Sequence, residues 1–78
     1  MIKLLLVEKT KNKVVYAVYP NKDDKCVAII EVELGGKFKF NIKKDYGIYS
    51  MHKSMAVQRL CQMFKSNKFP DSAVHACY

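Results

Sequence analysis

The chain has 78 residues, half of them apolar, and a formal net charge of +7. That length points to one domain, the apolar content excludes a disordered chain, and no apolar run approaches the roughly 20 residues needed to span a bilayer. The positive charge lies in the second half: residues 1–36 hold six lysines against five acids, whereas residues 37–68 hold seven lysines and Arg59 against Asp45 alone.

Residues 2–9, IKLLLVEK, are leucine-rich and β-branched and predict a first strand. TKNK is a turn, where Asn12 tolerates positive φ. VVYAVY, residues 14–19, predicts a second strand that Pro20 ends, because proline lacks a ladder donor. After the polar loop NKDDK, residues 26–34 (CVAIIEVEL) predict a third strand, Gly35-Gly36 a turn and residues 37–43 a fourth. A two-residue Gly-Gly loop would set Glu33 opposite Phe38 and mix charge with core on both faces. A three-residue loop, Leu34 to Gly36, pairs Val32 with Phe38 and Ile30 with Phe40, leaving Glu33 opposite Lys37 and Glu31 opposite Lys39. The pleat then separates the Phe side chains of KFKFNIKK from its lysines. A sheet that stacks bases needs rings and cations on one face.

KDYG, residues 44–47, is a turn, after which the period changes. Residues 51–66 place Ala56, Val57, Leu60, Met63 and Phe64 on one stripe, with Gln58, Arg59, Gln62 and Lys65 opposite, which predicts an amphipathic helix. Ser50 or Ser54 suits its N-cap. Asn67 suits its C-terminal end, and Pro70 forbids continuation. Within the tail, residues 73–78 read as a short edge strand, with a helical turn capped by Asp71 as the alternative. The expected fold is α+β, a single domain over residues 1–78. A four-stranded antiparallel meander, with a short fifth edge strand at the C-terminus, carries one amphipathic helix on one face.

One helix shelters one side of a sheet, yet the first two strands are apolar on both sides. The surplus face carries Val15, Ala17, Tyr19, Val27 and Ile29. Something should cover it: the tail with Val74, Ala76 and Tyr78, or a second copy or other protein partner. The first functional expectation is therefore a non-catalytic binding or regulatory module that self-associates through its sheet. The alternative is a nucleic-acid-binding protein using Lys43, Lys44, Lys53, Arg59, Lys65 and Lys68, with Gln58 and Gln62 one helical turn apart. Ser50 and Lys53, at the start of the helix, form a candidate anion site.

No acid, base and nucleophile converge by spacing, so no catalytic residue and no enzyme activity is expected. Cys61 beside Leu60 and Phe64 reads as buried rather than activated. Asp23 and Asp24 lack a further calcium-ligand pattern. His75 and Cys77 have the only metal-like spacing and lack a matching pair, so neither metal nor cofactor is expected. Three cysteines cannot all pair within the chain, and LLLV is too short for a leader, which together suggest a soluble cytoplasmic protein without a membrane partner.

Overall fold

A computed structural model describes residues 2–20 and 25–75. The elements are β1 (Ile2–Lys9), β2 (Lys13–Pro20), β3 (Ala28–Glu33), β4 (Lys39–Asp45), α1 (Ser50–Ser66) and β5 (Ser72–His75). They form the expected α+β fold. The sheet has the order β4-β3-β2-β1-β5, and each adjacent pair is antiparallel. Three consecutive connections build the meander, and α1 then carries the chain from β4 at one edge to β5 at the other. The 17 residues of α1 span about 25 Å at 1.5 Å per residue. Four inter-strand steps need about 19 Å, so one helix suffices for the crossing and covers one face.

Alternate residues of the strands fill that face. Ile2 and Leu4, Val14, Tyr16 and Val18, Ala28, Ile30 and Val32, and Ala73 pack against Met55, Ala56, Leu60 and Met63 of α1. Met55, not Val57, completes the buried helical stripe. The Tyr16 hydroxyl donates to the Pro70 carbonyl at 2.6 Å, tying the segment after α1 to the central strand.

Two β-bulges reset the alternation of side chains near the ends of the sheet. In β1, Leu6 lies opposite Tyr16 but Glu8 lies opposite Val15, so Val7 is the extra residue. Lys9, rather than Glu8, then lies opposite the fully buried Val14. In β4, Ile42 lies opposite Ile30 and Lys44 opposite Ile29, making Lys43 the extra residue. A bulge reverses the in-out alternation beyond it, which sends Glu8 and Lys44 to the helix-free side.

The β3–β4 hairpin departs from expectation. Val32 pairs with Phe40 and Ile30 with Ile42, while Glu33 pairs with Lys39 and Glu31 with Asn41. The connection spans residues 34–38, with φ of 101° at Gly35 and 78° at Gly36, so the register is two residues from the three-residue loop. A slip of two preserves which face each side chain occupies, and Phe40 and Ile42 remain on the helix side. Phe38 leaves the ladder and packs edge-on against Phe64 of α1, with ring centroids 5.5 Å apart.

The ends of α1 also differ from each other. Asn67 adopts the left-handed conformation at φ 55° and closes the helix as expected. At the start, neither Ser50 nor Ser54 caps; the N-cap is Tyr49, which makes no side-chain cap bond. Order is supplied one step upstream, where the Asp45 carboxylate accepts the N–H groups of Gly47 at 2.9 Å and Ile48 at 3.1 Å. Those two donors hold the Asp45 carboxyl below its ordinary pKa, and the charge of Lys53 acts in the same direction.

The described part of the tail does not cross the second face. β5 instead extends the sheet beside β1, with Leu4 opposite Ala73 and Ile2 opposite His75. Ala76, Cys77 and Tyr78, and with them the His75–Cys77 spacing, lie outside the described residues, as do Asp23 and Asp24. No helix among the described residues is long and apolar enough to cross a membrane.

Candidate interaction surfaces

The helix-free face is built from the residues that alternate with the core. Leu5, Ala17 and Ile29 lie side by side on β1, β2 and β3. Val15 sits in the next row between Glu8 and Glu31, and Tyr19 in the row on the other side, opposite Lys3. Val15 is 6% and Ala17 5% exposed although no described element crosses them. Both are short side chains flanked by longer ones, so they form a recessed floor. Leu5, Tyr19 and Ile29 are half-buried walls, and Val7 and Val74 stand exposed at the margin. Val27, expected on this face, precedes β3 and packs against the helix-side core.

A chain of ion pairs borders this floor. Lys13 Nζ is 3.5 Å from Glu31 and 4.0 Å from Glu8, and Lys43 Nζ is 3.8 Å from Glu31. The four residues come from four adjacent strands. Each pair is partly exposed and contributes on the order of 0–1 kcal/mol. Their value lies in arrangement: across the sheet the row reads Lys43, Glu31, Lys13, Glu8, alternating in sign.

The basic half of the chain is distributed over three surfaces rather than one stripe. Lys43 and Lys44 belong to the helix-free side, next to Glu31 and Ile29. Lys53, Gln62 and Lys65 are exposed on α1. Gln58 Oε1 lies 3.2 Å from His75 Nε2, linking α1 to β5. Arg59 is half-buried on the flank of the core, not on the outer face, and with Lys68 lines a cleft between α1 and the segment leading to β5. The candidate anion site at Ser50 and Lys53 sits beside Asp45, whose carboxylate already feels the Lys53 charge.

Two features escaped the sequence reading. One is the cleft. The other is the corner between β4 and α1, where Tyr46 is 59%, Tyr49 74% and Met51 69% exposed. The Tyr49 ring meets the His52 ring edge-on at 5.8 Å. The only signal in the sequence was DYGIYSM itself, two tyrosines and a methionine without a strand or helical period to hide them.

Among the described residues no three His, Cys, Asp or Glu side chains cluster as a metal site. Cys26 and Cys61 are unpaired thiols, and Cys26 Sγ donates to the Ala28 carbonyl at 3.1 Å. No protein-family model, curated protein or solved structure matches the chain.

Proposed function

We propose that this protein is a non-catalytic binding module that self-associates through the helix-free face of its sheet. The observation that carries the reading is the charge row beside the apolar floor. A two-fold axis parallel to the strands lays the row against its own reverse. Glu8 then meets Lys43 of the second copy, and Lys13 meets Glu31. The same axis keeps the strands of the two sheets aligned, the usual geometry of stacked sheets, and buries Leu5, Tyr19 and Ile29. An axis across the strands would set each charge against itself, so the row selects one pairing.

Molar mass measured over a concentration series tests this. A dimer is expected, and Ile29→Lys is expected to weaken it by about tenfold or more, because a lysine would enter an apolar contact. Glu8→Lys or Lys43→Glu alone should weaken the dimer, and the double exchange should restore it, since those charges face each other. A chain that stays monomeric up to about 1 mM, where a contact of about 4 kcal/mol would register, overturns the reading.

A second reading draws on the β4–α1 corner. Exposed Tyr46 and Tyr49 beside Lys44 and Lys53 bring rings and cations together as the strands do not, which suits single-stranded nucleic acid. Titration with an oligonucleotide at two salt concentrations should then show a steep salt slope. Tyr49→Ala should cost about 1–3 kcal/mol of binding. A salt-insensitive or absent interaction removes this alternative.

A further inference from the structure

The cleft between α1 and the segment leading to β5 has a volume of about 610 Å³ and is lined by Arg59, Met63, Ser66, Lys68, Phe69 and Pro70. That size falls within the roughly 300–1,000 Å³ of small-molecule sites. Its walls divide by chemistry. Arg59 and Lys68 bring positive charge; Met63, Phe69 and Pro70 bring apolar surface. A third cation stands nearby, with Lys9 Nζ 6.0 Å from the centre of the Phe69 ring. Opposing these, Asp71 follows Pro70, and its charge acts on the Tyr16 hydroxyl against that of Arg59.

Arg59 is the unusual member. Its Nε atom is buried and has no hydrogen-bond partner. Arg59 takes part in none of the salt bridges among the described residues. A guanidinium held partly out of water without a carboxylate is costly, and structures rarely keep one without a use. The buried Nε anchors the guanidinium in the wall of the cleft that Arg59 lines. The wall of the cleft is also fixed: the Tyr16 hydroxyl holds the Pro70 carbonyl, and the Ser66 hydroxyl donates to the Met63 carbonyl at 3.3 Å.

We propose that this cleft binds an oxyanion joined to an aromatic or other apolar body. The planar Arg59 fork takes the oxyanion as a charge-assisted, two-pronged partner. Lys68 adds charge, and the apolar body lies against Met63 and Phe69. A carboxylate and a phosphate offer the same chemistry to the fork, so both are tested.

The experiment is a titration of the isotope-labelled full chain with benzoate, phenyl phosphate and inorganic phosphate, following the Arg59 Nε–H resonance and the Phe69 ring. A saturable shift of both with benzoate or phenyl phosphate is expected, and the stronger of the two identifies the headgroup. Inorganic phosphate should bind about tenfold or more weakly, because it lacks the apolar body. Arg59→Lys, which keeps the charge and loses the fork, should weaken binding by about tenfold, and Lys68→Ala by less. The wild-type titration stands even if an Arg59 variant fails to fold. No saturable shift with either aryl ligand, equal binding of inorganic phosphate, or unchanged affinity in a folded Arg59→Lys overturns the proposal.

Discussion

Leu60→Ala is expected to lower the unfolding free energy by about 2–5 kcal/mol, the range for emptying a fully buried leucine site. Leu60 has no exposed surface and packs among Ile, Val and Leu side chains of the sheet and the methionines of α1. The total stability of a domain of 78 residues is about 4–12 kcal/mol, so one residue accounts for a large share. The consequence follows from the layer count. Among the described residues a single helix closes the core, and no second layer shares the load. Chemical denaturation read by far-ultraviolet circular dichroism measures the effect. A loss below about 1 kcal/mol would mean that the sheet holds together without the helix, contrary to the packing described here.

Tyr16→Phe should cost about 1–2 kcal/mol, the usual loss when one partner of a buried hydrogen bond is removed. The ring stays in the core; only the 2.6 Å bond to the Pro70 carbonyl goes. The effect carries its own pH signature. Burial, assisted by the negative charge of Asp71 and opposed by Arg59, pushes the Tyr16 hydroxyl from 10.0 up to about 12. In the unfolded chain this group loses its proton near pH 10, whereas the folded protein keeps it. The unfolded state therefore binds fewer protons between these values, and stability falls as pH rises through that window. Phenylalanine has no proton to lose. The stability gap between wild type and Tyr16→Phe should be constant below pH 10 and shrink from there toward pH 12. A gap that ignores pH in that window would show that the hydroxyl is not held as described.

The interaction surfaces rest on the same frame at different depths. The helix-free face uses side chains that alternate with the core, and its charge row depends on the two bulges, one setting Glu8 opposite Val15 and the other supplying Lys43 as its extra residue. The cleft depends on where the chain goes after α1, since Lys68, Phe69 and Pro70 meet Arg59 only because β5 returns to β1. Loss of self-association would leave the cleft proposal standing, and loss of ligand binding would leave the dimer standing.

Much of the fold was legible from local pattern. Apolar residues two apart in VVYAVY and CVAIIEVEL mark strands, and the change to helical spacing after DYG marks α1. Ala56, Leu60 and Met63 were placed on its buried side from spacing alone, as was the left-handed stop at Asn67. Arg59 was misplaced. Its neighbours in the sequence put it opposite the stripe, but Met55 rather than Val57 completes the buried set, and the stripe rotates toward Arg59. The hairpin was placed two residues off because Leu34 to Phe38 offer no rule for loop length once two glycines are present.

The amino-acid order by itself determined which segments extend, which coil, and which side of each faces the core, because these follow from side-chain periods of two and 3.6 residues. It also determined that the apolar surface exceeds what one helix can shelter. Only the tertiary structure decided the register of β4, the bulges at Val7 and Lys43, the place of β5 beside β1, and the company Arg59 keeps. Those are settled by contacts between residues distant in the chain, where shape and unpaired charge select among arrangements that local pattern leaves equivalent.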